Sequence, residues 1–525
     1  MTAPTFIKLP YPVGGIDERV MELDPARPTA RYLDNINIVR GMLESRRGKK
    51  IIKATTTGNI ISNAIVHYDE DVLNNQMLYM CQNASTYTLR YNDIADVSTE
   101  TQITTLTSAS SLSAARISTL GGNYTVIATG SSAPGIWNGS TFTLYTQDTG
   151  TYAITGTDKA TVCSSAITSV AVHSGHIFLF NKDSTKFYYL ALSSLAGAVS
   201  TIDSGMFVRS RGIIGGGVFV ATQGTDKSMQ GFAVIGDNGE VAIYTGTDPS
   251  TISTWKLEGE VIIPGKPIGH RAIVSTGRDM LVLTDTGLYS VAALCTGNKL
   301  SLSAPITELL AANSVTGMEL IYDSHKERVI INVPVTASAI SITQFVYHLD
   351  SKTWTTWSGN QATTIAASGS TLMCAVGKTI WKLDDEYLDE TSSGVYADIV
   401  SKLEWSPSMY GNSGKKRWIK ASPQFRAYGT IAISIGMISD FETQDRLASA
   451  GSWSGLNLSW DTLSTVTWGQ WAAMGWASDE LSPLSWKGLT GTGYAGALTM
   501  TTSTAMSPIK FVACNLVMEH TAQKL

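Results

Sequence analysis

A pair of short apolar-alternating segments, joined by a turn of Gly, Asn or Asp, returns every few dozen residues along most of this chain. Successive copies begin roughly 40 to 60 residues apart, which is near the period of propeller blades. They occupy residues 79–91, 124–145, 177–189, 232–244, 281–289, 329–347 and 372–381. A single hairpin cannot bury its apolar face, so the units must stack on one another, and radial stacking produces a β-propeller.

Residues 231–244 illustrate why each copy predicts paired strands. Apolar runs rich in β-branched and aromatic residues flank the turn at Asp237, Asn238 and Gly239. Asn and Gly tolerate the positive φ that tight hairpins require. Tyr244 closes the second run, and a ring at that position could fill the space between neighbouring sheets.

The composition favours an all-β protein with much of its surface covered. Of 525 residues, 43% are hydrophobic, 15% are charged and 47 are Gly. The charged share is well below the usual value, which indicates extensive buried or subunit-covered surface. Long helical patterns are missing, and residues 306–312 are among the few that could form a short helix.

Charge and cysteine content limit the possible partners and compartment. A net charge of −5 lacks the basic excess of a protein that grips nucleic acid along its surface. No stretch approaches the length of a membrane-spanning helix, and residues 1–10 lack the features of a secretion signal. The five scattered cysteines indicate neither a disulfide framework nor a zinc cluster, so folding in a reducing cytoplasm is the simplest interpretation.

We predict three parts along the chain. Residues 1–29 form an extended, Pro-rich arm that is suited to reaching a neighbour. Residues 30–390 form a β-propeller of six to eight blades, which opens with a hairpin at 30–48 and ends in an acidic linker at 384–390. Residues 391–525 form a second, β-rich domain that contains a tryptophan cluster at Trp453, Trp460, Trp468, Trp471, Trp476 and Trp486.

Two stretches resemble the tail nozzle or tail hub of short-tailed bacteriophages, also called packaged-DNA stabilisation proteins. The first contains Ala30, Leu33, Asp34, Asn35, Arg40, Gly41, Met42, Leu43, Arg46, Arg47 and Gly48. The second runs from Asn238-Gly239-Glu240 through a strand ending in Tyr244 to Gly246-Thr247-Asp248-Pro249-Ser250, followed by Trp255-Lys256-Leu257 and Gly265-Lys266-Pro267-Ile268-Gly269. Together they cover about a fifth of the chain.

This resemblance implies a structural virion protein without enzymatic activity. The family likeness implies a homo-oligomeric ring, a hexamer, that extends the channel of the portal and adaptor proteins, retains packaged double-stranded DNA, conducts it at ejection and offers docking surface to tail fibres or spikes. It also implies assembly in the host bacterial cytoplasm and location in the virion tail. Six copies at −5 each would carry −30, and acidic or neutral channel walls would let DNA slide rather than stick.

The sequence predicts no catalytic, cofactor-binding or metal-binding residues. Gly377-Lys378-Thr379 lacks the earlier glycine of a phosphate-binding loop and favours a hairpin turn, and Gly215-Gly216-Gly217 favours a bulge or turn. His173 and His176 could share a metal, but no third ligand is evident, so turn residues are the favoured interpretation. For the acidic run at 384–390, a solvated linker is favoured over calcium binding.

Other possibilities remain open at this stage. The basic clusters at 46–50 and 415–420 could contact DNA phosphates or an acidic neighbour, although unpartnered surface charge is commoner. The tryptophan cluster could be core, subunit interface or sugar-stacking platform, with core or interface favoured. The alternative function is a carbohydrate-binding or glycosidase-like propeller, which would need paired carboxylates converging on the central channel. A peptide-binding scaffold would show Trp-Asp or kelch signatures that recur from blade to blade, and no such recurrence is present.

Overall fold

Strands dominate the computed structural model of the chain. It describes residues 4–19, 28–53, 56–67, 75–94, 100–108, 111–223, 227–251, 253–313, 316–334, 342–411, 413–426, 431–440, 446–453, 486–504 and 509–520. The α-helices in these ranges are short, namely α1 (Lys159–Val162), α2 (Val291–Cys295) and α3 (Thr307–Ala312), and 3-10 turns cover His270–Ala272 and Ala304–Ile306. Within the same ranges, no helix has the length and apolar character needed to cross a bilayer.

The chain folds into two compact units, each built from separate parts of the sequence. Unit 1 contains Met1–Lys50, Phe345–Asn360 and Leu383–Leu525. Unit 2 contains Ile51–Gln344 and Gln361–Lys382. The strands before unit 2 are β1 (Thr5–Leu9), β2 (Ala30–Asp34), β3 (Ile36–Val39) and β4 (Met42–Ser45), and the chain enters unit 2 within β5 (Gly48–Lys53).

Unit 2 is a series of antiparallel sheets that follow one another along the chain. The first three contain β6 (Asn59–His67), β7 (Asn75–Asn83), β8 (Thr86–Asp93) and β9 (Thr101–Leu106); β10 (Ser113–Thr119), β11 (Gly122–Ala128), β12 (Gly135–Trp137) and β13 (Phe142–Leu144); and β14 (Thr146–Gln147), β15 (Ala153–Thr155), β16 (Ile167–His173), β17 (His176–Asn181), β18 (Lys186–Leu190) and β19 (Gly197–Asp203). In the third sheet, the short strands β14 and β15 are added in parallel beside β19.

The remaining sheets of unit 2 continue the series. They contain β20 (Ile213–Gln223), β21 (Lys227–Gly236), β22 (Glu240–Gly246) and β23 (Trp255–Ile262); β24 (Ile273–Ser275), β25 (Met280–Thr284) and β26 (Gly287–Ser290); β27 (Glu319–Asp323) and β28 (Arg328–Asn332); and β31 (Thr364–Ser368), β32 (Thr371–Val376) and β33 (Thr379–Glu386). The N-terminal strand β5 pairs with β33 and completes the last sheet.

One edge strand of each of these sheets, counted here as the first strand of its blade, contacts its counterpart in the next sheet, and these contacts form a closed circle that makes unit 2 a β-propeller. Around the circle, β6 contacts β10, β10 contacts β16, β16 contacts β20, β20 contacts β24, β24 contacts β27, β27 contacts β31, and β31 contacts β6 again. The part of the chain that the structure describes therefore contains seven blades, within the predicted range of six to eight. Because β5 joins the last sheet, early and late segments of the chain close the circle together, and closure removes free sheet edges.

The predicted hairpins are confirmed. Each of the seven segments starts in the second strand of a different blade, in the order β7, β11, β17, β21, β25, β28 and β32. Their turns have the positive φ expected from their residues, as at Gly239 (φ 84°), Gly287 (φ 143°) and Gly377 (φ 56°). The Gly215–Gly217 run lies in β20 beside a bulge, as predicted. A Cβ on Gly216 would lie 2.6 Å from the Phe180 ring, so this glycine permits close approach of the neighbouring blade.

Aromatic side chains fill the space between the third and fourth blades. The Phe178 and Phe232 rings lie 4.5 Å apart, and the Tyr244 and Trp255 rings stack at 5.4 Å. All four side chains are buried, with Tyr244 only 4% exposed. The predicted role of Tyr244 between sheets is therefore confirmed, and this packing contributes through apolar area removed from water.

Unit 1 is also built from strands. Its remaining strands are β29 (Gln344–His348), β30 (Thr353–Trp357), β34 (Asp389–Ser392), β35 (Val395–Ala397), β36 (Ile399–Trp405), β37 (Lys416–Arg426), β38 (Ile431–Ser439), β39 (Arg446–Trp453), β40 (Lys487–Gly488), β41 (Thr492–Gly493), β42 (Gly496–Thr504) and β43 (Lys510–His520). A nine-stranded sheet contributes the run β29-β30-β2-β36-β42-β38-β39 to this unit. A second runs β3-β4-β43-β37-β40, with β1 on β43 and β41 on β37.

Large side chains pack these two sheets together. Tyr11 lies between Trp405 of the first sheet and Phe511 of the second, with ring centroids 5.2 and 5.3 Å away. Trp418 of the second sheet donates an indole hydrogen bond of 3.0 Å to Ser439 at the end of β38. Unit 1 thus has a core of its own, in which Trp405 and Trp418 are fully buried.

The described part of the N-terminal arm is extended, as predicted, and packs within unit 1. Strand β1 pairs with β43 from Thr5 opposite Met518 to Leu9 opposite Cys514. Ile16 is buried and its backbone N–H donates to the Trp354 carbonyl oxygen.

The unit boundaries differ from the predicted boundaries at residues 30 and 390. Strands β2 to β4 lie in unit 1 because β2 pairs with β36 and β4 pairs with β43. The predicted hairpin at 30–48 is present as β3 and β4, joined by Arg40 (φ 50°) and Gly41 (φ 74°). Its pairing partners lie hundreds of residues away, so local alternation could not assign it to a unit. The five cysteines are free, as expected from their spacing.

Candidate functional site

The central axis of the propeller is occupied by Arg271. This residue lies in the 3-10 turn immediately before β24, the first strand of the fifth blade. Its Nη1 donates to the Asn63 carbonyl oxygen at 2.9 Å and to the Leu112 carbonyl oxygen at 3.1 Å. Its Nη2 donates to Thr364 Oγ1 at 3.2 Å and to the Ile365 carbonyl oxygen at 3.0 Å. One guanidinium group therefore contacts the first, second and seventh blades.

Glu319, the first residue of β27 in the sixth blade, completes this network. Its Oε1 lies 2.6 Å from Arg271 Nε. Thr364 Oγ1 lies 2.9 Å from Glu319 Oε1 and also 2.9 Å from Asn63 Oδ1. The Ile365 backbone N–H donates to Glu319 Oε2 at 3.0 Å. Both carboxylate oxygens are thus engaged within the propeller, and the Glu319 side chain is only 7% exposed.

The positions of the network residues along their strands show which end of the propeller axis the network fills. Leu112 immediately precedes β10, Arg271 precedes β24, and Glu319 and Thr364 begin β27 and β31. The network therefore lies where several inner strands start. Next to it, His270 Nε2 lies 3.0 Å from Ser111 Oγ. Burial, with a smaller contribution from the positive charge of Arg271, lowers the pKa of His270 to about 4, so the ring is neutral at pH 7.

This arrangement links several blades and engages both carboxylate oxygens of Glu319. A glycosidase of the usual kind needs one carboxylic acid and one carboxylate free to act on the substrate. Glu319 is instead held in a buried ion pair with Arg271. Across the described ranges, no group of three or more His, Cys, Asp or Glu side chains is placed to hold a metal ion. The sequence did not point to Arg271 or Glu319, because the network draws on five blades and has no signature in residue spacing.

The N-terminal signature surrounds a second buried network, in unit 1. Asn35 has a φ of 57°, and its Oδ1 accepts from Arg46 Nε at 2.7 Å. Arg46 Nη1 and Nη2 donate to Asp389 Oδ1 and Oδ2 at 2.9 and 2.5 Å. Asn35 Nδ2 donates to Ser358 Oγ at 2.9 Å. The residues that carry the resemblance thus fasten together three separate parts of unit 1.

Glu240, in the central signature, secures the loop before the fourth blade. Its Oε1 accepts from the backbone N–H groups of Val208 (2.9 Å) and Arg209 (2.8 Å). Its Oε2 accepts from the N–H groups of Arg209 (2.9 Å) and Ser210 (2.6 Å). Burial raises the pKa of Glu240, but these hydrogen bonds outweigh it and the net pKa is lowered. The side chain therefore acts as a charged cap on a loop.

The end of the central signature forms a turn that contacts the third blade. Asp248 Oδ1 accepts from the Ser250 backbone N–H at 2.9 Å, which stabilises the turn. The Gly246 carbonyl oxygen lies 3.0 Å from His173 Nε2, and Asp248 Oδ1 lies 3.8 Å from His176 Nε2. His173 and His176 pair across the β16–β17 hairpin, as expected for turn residues. Burial lowers the pKa of His173.

Two interpretations of charged segments are wrong. The run at 384–390 is not a solvated linker, because β33 extends to Glu386 and Asp389 is buried against Arg46. The basic clusters are not uniformly surface charge either. Arg46 is 2% exposed, and Lys416 is fully buried with its Nζ donating to the Gly414 and Tyr494 carbonyl oxygens. Long-range pairing, which residue spacing does not reveal, accounts for both differences.

Most of the tryptophan cluster falls outside the described residues. Trp460, Trp468, Trp471 and Trp476 lie in this part of the chain, and no side chain is described for Trp453. Trp486 is 40% exposed, with its ring 6.0 Å from that of Phe6 and 4.6 Å from Lys420 Nζ.

Comparisons with known proteins were made at the level of sequence and of structure. No protein-family model matches the chain, and no curated protein matches it. Among solved structures, the chain is similar to the WD40 repeats of RRP9, with 9% identity over 65% of this chain and 99% of that chain, and a TM-score of 0.36.

Proposed function

We propose that this protein is a structural ring protein of a short-tailed bacteriophage tail, a nozzle or hub without enzymatic activity. In this proposal, identical copies, six in the family that the two signatures resemble, surround the path of the packaged DNA below the portal and adaptor. The ring retains the genome, conducts it at ejection and presents its outer surface to tail fibres or spikes. The protein is assembled in the bacterial cytoplasm and resides in the virion.

The proposal rests on what the signature residues do. Asn35 and Arg46 of the first stretch, and Glu240 and Asp248 of the second, are each engaged in networks that fasten loops and strands. In a scaffold that must resist mechanical load, we expect the residues of a family signature to hold loops and strands together. In an enzyme, we would instead expect the signature to contain accessible titratable or nucleophilic side chains.

The filled propeller axis constrains how such a ring would work. Arg271 and Glu319 fill one end of the axis and link several blades through buried hydrogen bonds and an ion pair. We infer that the DNA passage lies between copies and not through each propeller. With a chain charge of −5, a ring of several copies carries no overall excess of positive charge to hold phosphate groups.

Electron microscopy of the purified full-length chain tests the proposal. Closed rings with a central bore are expected, and in an intact virion the chain should fit density on the tail axis. Persistent monomers that bind immobilised glycans would contradict the ring and favour the carbohydrate-binding alternative.

A further inference from the structure

Two Asn-Gly dipeptides lie in hairpin connections of the propeller, but their surroundings differ. Asn138-Gly139 lies between β12 and β13 in the second blade, and Asn238-Gly239 lies between β21 and β22 in the fourth. The sequence contains no other Asn-Gly dipeptide. A glycine after asparagine has no Cβ, so its backbone nitrogen is accessible to the preceding side chain. The two dipeptides therefore place the same reactive groups in two structural settings.

The Asn138 side chain is held by three hydrogen bonds to its amide oxygen. Oδ1 accepts from the backbone N–H groups of Ser140 at 3.0 Å and Thr141 at 2.7 Å, and from the Ser140 hydroxyl at 3.1 Å. The Gly139 carbonyl oxygen also accepts from Gln76 Nε2 of the first blade at 3.0 Å. Rotation of the Asn138 amide toward the Gly139 nitrogen would break the hydrogen bonds to Oδ1.

The Asn238 side chain lacks such restraints. It is exposed, and its amide group makes no hydrogen bond to any residue that the structure describes. The backbone N–H of Asn238 donates to Ser210 Oγ at 3.3 Å. The Gly239 N–H donates to the Gly236 carbonyl oxygen at 3.3 Å, which is beyond the common range of about 2.7–3.2 Å. Both the Asn238 amide carbon and the nitrogen that could attack it are therefore weakly held.

We propose that Asn238 is a site of spontaneous deamidation and that the fold protects Asn138. Solvent hydroxide removes the proton from the Gly239 nitrogen, which then attacks Cγ of Asn238. The bond between Cγ and Nδ2 breaks, the nitrogen takes up a proton, and ammonia leaves behind a five-membered cyclic imide. Water opens this ring at either carbonyl carbon and gives aspartate or isoaspartate at position 238. No oxidant or reductant takes part, since only water is consumed and ammonia is released.

This modification would act on the loop that Glu240 caps. It places a negative charge two residues from Glu240, whose carboxylate accepts from the backbone N–H groups of Arg209 and Ser210. Isoaspartate also lengthens the backbone by one methylene group next to Gly239, where a Cβ would lie 2.7 Å from the Gly265 carbonyl oxygen. We therefore expect the end of the fourth blade to loosen as the chain ages. This inference does not depend on the proposed ring.

Peptide mapping of the folded full-length chain, incubated in mildly alkaline buffer, tests the site. Mass spectrometry should show conversion of amide to acid at Asn238 about tenfold faster than at Asn138, because the hydrogen bonds to Asn138 add to its barrier. The chain unfolded in urea is the matched control, since both dipeptides should then react at similar rates. Equal rates in the folded chain, or a faster reaction at Asn138, would overturn the proposal. So would a folded chain that stays unmodified at Asn238 while the unfolded chain reacts.

Two glutamine variants test the effect on stability. Asn238→Gln should resist the modification, because its longer side chain would have to form a six-membered ring. On incubation, the thermal midpoint of the wild type should fall as the modified fraction rises, and the midpoint of Asn238→Gln should stay constant. Asn138→Gln is the matched control and should lose stability as the wild type does. An equal fall in Asn238→Gln would contradict the expected effect on the fourth blade.

Discussion

Arg46 and Asp389, 343 residues apart in the sequence, form a bidentate ion pair whose oxygen–nitrogen distances are 2.9 and 2.5 Å. Arg46 is 2% exposed, and its third nitrogen, Nε, donates to Asn35. The pair joins the end of the N-terminal hairpin to the first residue of β34. It thereby sets the position from which the hairpin of β34 and β35 begins.

Removing one partner of this pair should be strongly destabilising. For Arg46→Met, we expect a loss of about 3–5 kcal/mol in the free energy of unfolding, because the Asp389 carboxylate would stay buried without its partner. The measurement is urea unfolding followed by tryptophan fluorescence. Lys50→Met is the control, since the pair between Lys50 and Glu386 is exposed and should change stability by less than about 1 kcal/mol. Equal effects of the two substitutions would contradict the assigned burial.

The pair at the propeller axis should show energetic coupling. Arg271→Met and Glu319→Gln should each lower the stability of unit 2 by about 3–5 kcal/mol, because each leaves buried polar groups without a partner. The double variant should lose much less than the sum of the two single losses. Arg116→Met, on an exposed position of β10, is the control and should be nearly neutral. Additive losses in the double-mutant cycle would refute the coupling.

Glu240 should make the fourth blade sensitive to acid. Both carboxylate oxygens of Glu240 accept hydrogen bonds, whereas the amide in Glu240→Gln has only one acceptor oxygen. We therefore expect the free energy of unfolding to fall by about 1–3 kcal/mol at neutral pH. The lowered pKa of Glu240 means that its contribution is present above its ordinary value of 4.5 and is lost as the pH falls through the folded-state pKa. The stability difference between wild type and variant should therefore shrink below about pH 4.5. Thermal midpoints across this pH range measure it, and a constant difference would contradict the role of the carboxylate.

His270 should produce a separate loss of stability at mildly acidic pH. Its folded-state pKa of about 4 lies below its ordinary value of 6.5, so between these values the unfolded chain binds a proton more readily. The contribution of neutral His270 to the free energy of unfolding is present in full above pH 6.5 and is lost as the pH falls toward about 4. His270→Gln, which can still bond to Ser111, should lack this part of the pH dependence. Parallel pH profiles for wild type and variant would show that His270 titrates normally in the folded chain.

Much of the propeller could be predicted from local pattern. Alternation over four to eight residues predicts a strand, and a turn such as Asp237-Asn238-Gly239 predicts a hairpin, because both depend on neighbouring residues. For this reason all seven repeats begin in the second strand of a blade. The turn at His173 and His176 and the bulge at Gly215 were predictable on the same grounds.

The hydrogen-bond and ion-pair networks around Arg271 and Arg46 could not be predicted, because they join residues that no local sequence pattern relates. Arg271 contacts Asn63 and Ile365, which lie 208 residues before it and 94 residues after it. Arg46 looks like surface charge in a basic cluster until Asp389 is placed beside it. The acidic run at 384–390 likewise has the composition of a solvated linker, because its partner Arg46 lies far away in the sequence. Partners so distant in sequence become neighbours only when β5 closes the last blade and β2 to β4 join the strands of unit 1.

The sequence alone determined that this protein is built from β-hairpins in a repeating series, because strand pairing within a hairpin is a short-range property. Only the tertiary structure decided that seven blades close the circle, that Arg271 fills its axis and that the first fifty residues belong with the C-terminal strands. The reason is physical. Closure and burial of charge depend on which distant surfaces meet, and that is settled by the packing of the whole chain.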